Sequence, residues 1–203
     1  TRAMGFGIYE EYGVESDDLL AAHATRICSE EEDVQVYIVS ADKDFAQTVS
    51  ERIHMLLPPP TANPRLGWRI LDPEGVIEKF GVTTDQIPDY LSLIGDTSDN
   101  IPGVPGVGPK TAAKWLNEYG NLDCVTRNAA ELKPIRFREI LPAMIEQLKI
   151  NRKIIAFDPD CGPDSIPDGN VDPSTLFSIL EKMEMKTHLK EAQKRYAQGE
   201  LAL

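Results

Sequence analysis

A chain of 203 residues, 41% of them hydrophobic and 27% charged, is long enough for one core with an appendage, and none of its apolar runs approaches a membrane span. Its net charge of -12 argues against a general nucleic-acid binder, so the local distribution of charge matters more than the sum. Cys28, Cys124 and Cys161 are odd in number, far apart and without Cys-x-x-Cys spacing, which supports neither a disulfide framework nor a zinc site and points to buried free thiols in a reducing compartment.

In chain order, Gly5 to Tyr12 reads as a short strand. Val14 then leads into Glu15-Ser16-Asp17-Asp18, where Asp17 or Ser16 is expected to cap a helix from Asp18 to about Ser29, with Leu19, Leu20, Ala22, His23 and Ile27 on its apolar side. Three acids in those four positions exceed what a cap and helix dipole need, which suggests a cation site. His23 lacks a partner at metal spacing and reads as an ordinary helix residue. Glu30 to Asp33 forms a solvated acidic turn. Val34 to Ser40 is rich in β-branched residues and predicts a buried parallel strand ending in Ala41-Asp42-Lys43-Asp44. Carboxylates at the carboxyl end of such a strand sit where open α/β sheets place their ligands, although Asp44 would also serve as an N-cap for the residues after it.

Arg52 to Leu57 reads as another strand, followed by a proline-rich polar loop and a hairpin-like return through Trp68 to Leu71, with no catalytic role for His54. Asp72-Pro73-Glu74 starts a short helix that Gly81 closes. A further helix from Thr84 to Ile94 leads into the central loop, and Asp89 lies near its start, outside any first metal shell. The loop, Gly95-Asp-Thr-Ser-Asp-Asn-Ile-Pro-Gly103-Val-Pro-Gly106-Val-Gly108-Pro-Lys110-Thr111, joins two carboxylates, Asp96 and Asp99, to a glycine turn and a helix start. Gly106 and Gly108 allow positive φ and close backbone approach, Pro109 suits the first helical position, and Lys110 and Lys114 add charge beside the helix N-terminus, an arrangement that suits a nucleic-acid phosphate. Helices are predicted over 122–130, 134–150 and 174–197, with a break from Pro163 to Pro173.

Charge is uneven along this order. Residues 1–100 hold 7 Lys and Arg against 19 Asp and Glu, residues 101–153 hold 9 against 5, and residues 154–203 hold 5 against 9. Only the middle stretch, which begins at the glycine turn, is basic, a footprint suited to a phosphate backbone. Acids in excess, with no Cys or His cluster, select hard cations such as Mg²⁺ or Mn²⁺.

Three of these stretches, in this order, carry a resemblance. Gly13-Val-Glu15-Ser-Asp17-Asp18, Ser40-Ala-Asp42-Lys-Asp44 and Gly95 to Lys110 resemble the motifs of the 5′-nuclease family, which comprises the 5′–3′ exonuclease domain of bacterial DNA polymerase I, phage 5′ exonucleases and flap endonucleases. The resemblance runs from about Gly5 to about Leu189 and weakens after Asn151. It implies an α/β fold of PIN-like 5′-nuclease type: a parallel sheet flanked by helices, then a C-terminal helical region with a helix-hairpin-helix. The corresponding domains are 1–94, the α/β nuclease part, and 95–203. It implies two Mg²⁺ or Mn²⁺ ions, with Glu15 and Asp17 at the first, Asp42, Asp44 and Asp99 at the second, and Asp18 and Asp96 nearby or water-mediated. It also implies a DNA grip formed by Gly103, Gly106, Gly108, Lys110, Thr111 and Lys114, with K⁺ as a further candidate at the hairpin. The substrate implied is DNA with 5′ ends or flaps. The partner is a DNA polymerase domain or a separate N-terminal segment, and the setting is cytoplasmic and nucleoid-associated, without a membrane.

The family pattern departs at the front. Its members begin with a strand ending in Asp and a basic arch with a further carboxylate, and this sequence starts after both. A fragment, a piece supplied as another chain and a version that no longer cuts are all open; the chain alone, short of metal carboxylates and arch cations, is expected to be a poor nuclease, and a non-cleaving, structure-selective DNA-binding module stands beside the nuclease reading. An α/β acidic-site phosphatase is a third option that leaves the glycine turn unexplained.

Overall fold

The structure, a computed structural model, describes residues 1–196. They fall into two compact units, Val14–Gly162 and a smaller one formed by Thr1–Gly13 with the chain from Pro163 on. In the larger unit, helix α1 (Ser16–Glu30) buries Ala21, Ala24 and Cys28. Neither Ser16 nor Asp17 caps it as expected: the cap position is Glu15, without a side-chain cap bond, so these acids remain available for other work.

Strands β1 (Val36–Ile38), β2 (Ile53–Leu57) and β3 (Arg69–Leu71) form one sheet in the order β1-β2-β3. β1 pairs with β2 in parallel, Ile38 opposite Met55, while β3 runs antiparallel to β2, Met55 opposite Leu71. The sheet is therefore mixed and not parallel throughout, because the connection from Leu57 to Arg69 has no crossover helix and can only fold back. β1 is also shorter and less buried than expected. Only Ile38 is buried in it, and Tyr37 stands 47% exposed. β2 alternates as a half-covered strand should, with Ile53, Met55 and Leu57 inward.

Helix α2 (Pro73–Phe80) is capped by Asp72, which accepts from the Gly75 N–H at 2.8 Å, and ends at Gly81 in the left-handed region. A 3₁₀ turn at Thr84–Gln86 then enters helix α3 (Ile87–Ile94). A two-residue hairpin follows, β4 (Gly95–Asp96) with β5 (Ile101–Pro102). Helix α4 (Pro109–Tyr119) starts at Pro109 as the sequence requires. Helix α5 (Leu122–Arg127) is shorter than expected, its remainder being a 3₁₀ turn at Ala129–Glu131. Helix α6 (Phe137–Ile155) runs further than expected because Leu148, Asn151 and Ile155 continue one buried face.

Two polar side chains fasten this unit from inside. Asn151, fully buried, donates to the Pro102 carbonyl at 2.7 Å and the Ser92 carbonyl at 3.3 Å, tying α6 to the hairpin and the end of α3. Asp89 accepts from the Leu122 N–H at 2.8 Å and lies 3.6 Å from the Arg152 guanidinium, so it holds α5 in place. The core beneath includes Phe45, Met55, Leu91, Leu93, Trp115, Leu116, Phe137 and Leu141.

The smaller unit contains no strand over residues 5–12. Met4 makes one antiparallel bridge with Val171, and the glycines there allow close packing instead: a Cβ on Gly169 would lie 2.4 Å from the Gly5 carbonyl carbon. The helix expected over 174–197 is two helices, α7 (Pro173–Lys182) and α8 (Lys186–Tyr196), broken where Glu184 takes a φ of 55°. Residue 197 lies outside the described residues. Among the described residues no helix is long and apolar enough to cross a membrane, none of the three cysteines forms a disulfide, and only Cys28 is buried.

Candidate metal centre and phosphate turn

The acids expected at the site arrive on four segments of the larger unit. Asp42 follows β1 and caps the 3₁₀ turn Lys43–Gln47, accepting from the Asp44 N–H at 3.0 Å; Asp42, and not Asp44, is thus the cap. That turn is anchored from behind. Phe45 packs on Phe157 with centroids 5.2 Å apart, and Gln47 donates to the Ile155 carbonyl and accepts from the Phe157 N–H at 3.2 Å. Asp96 sits on β4 and Asp99 in the hairpin loop, where Asn100 adopts a φ of 57°. Glu15, Asp17 and Asp18 come from the start of α1, and Asp18 accepts from the Asp158 N–H at 2.9 Å.

Carboxylate oxygens of Asp44, Asp96 and Asp99 lie within 4.8 Å of one another. Around them Glu15, Asp17, Asp18, Asp42, Asp44 and Asp99 line a cavity of about 140 Å³, closed on its apolar side by Ile101, Ile154, Ile155 and Phe157. All seven acids are brought to one place, six on the cavity lining and Asp96 through its cluster with Asp44 and Asp99.

The crowding shows in their acidity. Burial, reinforced by the charge of Asp42 and more weakly by Asp96 and Asp99, pushes the Asp44 carboxyl up to about 6 against the pull of Lys43. Asp99 is also raised, by desolvation, by its hydrogen bond to Asp96 and by the charges of Asp96 and Asp42. Asp96 goes the other way: burial opposes its ionisation, but the Lys43 ammonium paired with it and the Ser98 N–H and hydroxyl bonded to it hold the carboxyl well below the usual range. Lys43 is raised in return, the surrounding acids outweighing its desolvation.

Asp44 Oδ1 is buried and accepts no hydrogen bond. A buried, unpaired carboxylate oxygen inside a ring of like charges is a costly arrangement that a cation relieves. The donors are all oxygens, with neither sulfur nor imidazole among them, and so fit a hard divalent ion.

The second feature is the turn before α4. Gly106 has a φ of 79°, as its position requires, whereas Gly108 is extended at -117°, a conformation open to any residue. Gly108 is distinguished instead by open space: a Cβ there would meet nothing within 4 Å. Its carbonyl accepts from the Thr111 and Ala112 N–H groups at 3.0 Å, fixing the first turn of α4. Lys110 and Lys114 are exposed, and among the described residues neither joins an ion pair. Arg136 reaches the Gly106 carbonyl at 3.5 Å while lying over Phe137, whose ring meets Trp115 edge-on. Gly103 faces inward, its missing side chain making room for Ile94 and Gly95.

Of the residues that position these features, Ser98 lies within the Gly95 to Lys110 stretch but has no role assigned there, and neither Gln47 nor Asn151 is singled out by the sequence. Asn151 alone leaves a trace, as a polar residue on the apolar face that Leu148 and Ile155 define. His54 meets Tyr37 ring to ring, away from the acids.

A mixed sheet flanked by helices, with an acidic cavity near the end of its parallel strand, makes this an α/β protein with a candidate cation site. Two family models match: 5′–3′ exonuclease, N-terminal resolvase-like domain, over residues 1–81, and 5′–3′ exonuclease, C-terminal SAM fold, over residues 82–169. The chain belongs to the 5′–3′ exonuclease family. It is 34% identical over 202 residues to a 5′–3′ exonuclease of Aquifex aeolicus, covering 98% of this chain and 65% of that one. It is 37% identical over 191 residues to DNA polymerase I of Rhizobium leguminosarum, covering 92% of this chain and 18% of that one. Thus the chain spans about a fifth of its polymerase relatives and under two thirds of the exonuclease. In fold it resembles the T5 D15 protein co-crystallised with metal ions, with a TM-score of 0.62 and 22% identity over 72% of this chain and 51% of that one. It also resembles the catalytic core of Rad2 in complex with DNA, with a TM-score of 0.56 and 14% identity over 87% and 60%.

Proposed function

We propose that this chain carries a divalent-metal-dependent 5′–3′ exonuclease and flap endonuclease activity on DNA, with phosphodiester hydrolysis at the acidic cavity. The observation that carries it is the meeting of Asp44, Asp96 and Asp99 beside Glu15, Asp17, Asp18 and Asp42, with a buried oxygen of Asp44 left unpaired. In this reading Glu15 and Asp17 hold one ion and Asp42, Asp44 and Asp99 a second, with Asp18 and Asp96 in support. When bound, Mg²⁺ or Mn²⁺ supplies Lewis acidity for the scissile phosphate and an activated water. The protein's own part is to fix the carboxylates on short, anchored turns beside an apolar wall of Ile101, Ile155 and Phe157.

The turn at Gly106 to Lys110 serves as the hairpin of a helix-hairpin-helix, with K⁺ as its proposed occupant. There Gly108 admits a phosphate to the backbone, and Lys110 and Lys114 add charge without reading bases. The proposed division of labour places most of the acids in 1–94 and the grip in 95–203. Because polymerase relatives carry the matching region within a longer chain, work coupled to a DNA polymerase, in the cytoplasm at the nucleoid, is part of the proposal.

The test is cleavage of a 5′-flapped duplex in Mg²⁺. Asp99→Ala is expected to lower the rate by about 10³-fold or more, on the order of 4 kcal/mol of transition-state stabilisation, and to leave duplex binding in place. Cleavage that persists in EDTA, or that is indifferent to Asp99, would overturn the reading. Tight flap binding without cleavage by the metal-loaded protein would select the non-cleaving module.

The grip has its own expected result. Gly108→Val should fold normally, since a Cβ there meets nothing within 4 Å and the backbone is extended, yet weaken duplex binding by roughly tenfold, the worth of about one phosphate contact. Lys110→Ala should weaken binding to all sequences alike and lower the slope of log affinity against log salt by about 1. Fluorescence anisotropy across a salt series measures both. A change in base preference for Lys110→Ala would replace this account with direct readout.

A further inference from the structure

Lys43 lies between Asp42 and Asp44 in sequence, but its ammonium pairs with Asp96 on the far hairpin. The lysine side chain is 34% exposed and the Asp96 side chain 6%. Both oxygens of Asp96 are therefore engaged: Oδ1 accepts from the N–H and hydroxyl of Ser98, and Oδ2 holds Lys43. Of the three carboxylates that converge within 4.8 Å, Asp44 has a buried oxygen with no partner, and Asp96 has none to spare. A divalent ion that enters this space must meet the ammonium at close range, where like charges repel strongly in a partly desolvated site. Ser98 belongs to the same turn as Asp96 and moves with it, whereas Lys43 is held from outside on a flexible four-carbon stem with a route to solvent.

We infer that Lys43 is a resident counter-ion of the acidic cluster, which neutralises Asp96 in the metal-free chain and is expelled when a divalent cation loads. Loading is then an exchange of one cation for another. The physical benefit is that the acids stay assembled without metal, because one positive charge sits among Asp42, Asp44 and Asp96. The cost is weaker apparent metal affinity, since the ion pair must be broken first. This inference rests on the metal reading above and adds a role for a residue outside the ligand set.

The experiment combines Mn²⁺ calorimetry on the wild type, Lys43→Met and Lys43→Gln with acylation of lysines by a water-soluble succinimidyl ester, read by peptide mass spectrometry. Both variants are expected to bind Mn²⁺ roughly tenfold more tightly, about 1.4 kcal/mol. Wild-type Lys43 should label slowly without Mn²⁺ and faster with it, which separates departure of the ammonium from the mere loss of a nearby positive charge. Should the variants fail to fold, the labelling of the wild type decides alone. Equal or weaker Mn²⁺ binding in the variants, or labelling of Lys43 that Mn²⁺ leaves unchanged or slows, overturns the inference while the metal centre stands. A wild-type chain that takes up no Mn²⁺ removes the metal centre itself, a distinct failure.

Discussion

Replacing Asp44 by Asn is expected to have two opposite effects: it removes metal binding and stabilises the metal-free chain. The first follows from the proposed metal site, for which the buried, unpaired oxygen of Asp44 is the most direct support. Loss of this charge should weaken Mn²⁺ binding by ~100-fold or more, at least the upper end of what outer-shell changes cost. The second follows from the carboxyl's acidity, pushed up to about 6 from 3.8 by burial and by Asp42. A raised carboxyl means that the folded state holds its proton more tightly than the unfolded chain does. Its contribution to stability is therefore present below 3.8 and is lost as pH rises through about 6. Near neutral pH the ionised group costs the fold at most ~3 kcal/mol by linkage, and about 1 kcal/mol once the solvent reaching this half-exposed side chain is allowed for. The variant should thus melt roughly 2–4 °C higher without metal at neutral pH. The gain should shrink as pH falls towards 4. Differential scanning calorimetry in EDTA, paired with Mn²⁺ titration, measures both effects. A lower melting point at neutral pH, or undiminished Mn²⁺ affinity, would sink the assignment.

Gly103→Ala is expected to be among the most damaging small substitutions in the larger unit. A Cβ there would lie 2.2 Å from the carbonyl carbon of Ile94, 2.3 Å from its oxygen and 2.5 Å from the nitrogen of Gly95. These are backbone atoms, with no flexible side-chain end to give way. Gly95 faces the same crossing, where its own Cβ would lie 2.3 Å from the Gly103 nitrogen. Opening the crossing moves β4, which carries Asp96 and its bond to Lys43, so metal affinity should fall together with stability. Roughly 3 kcal/mol of destabilisation is the expectation, at the upper end of overpacking costs. Gly108→Ala, five residues on, adds the same methyl group to open space and should cost nothing comparable. Urea unfolding of the two variants side by side is the measurement. Equal midpoints would mean that the crossing yields easily and that Gly103 is kept for something other than packing.

Those two glycines mark where the sequence stops being informative. Both stand in one glycine-rich run and look alike in it, yet one is needed by its own chain and the other leaves space at the surface. Which is which depends on what lies across from each, and that is a tertiary fact. The same holds for Asp42 and Asp44, of which the first caps and the second has one buried oxygen without a partner.

By itself the sequence determined the acids, the glycine turn and the extents of α2 and α4, because each is a local matter. Periodicity sets a helix face, Pro109 and Gly120 bracket α4, and carboxylates in excess of what caps require stand out in any short window. It also exposed the basic middle stretch, since charge needs no partner to be counted. Only the tertiary structure decided the direction of β3, the burial of Asn151 against the Pro102 carbonyl and the pairing of Lys43 with Asp96 across 53 residues. Each depends on segments remote in the chain meeting at hydrogen-bond distance, and no local pattern specifies which distant atom a side chain will reach.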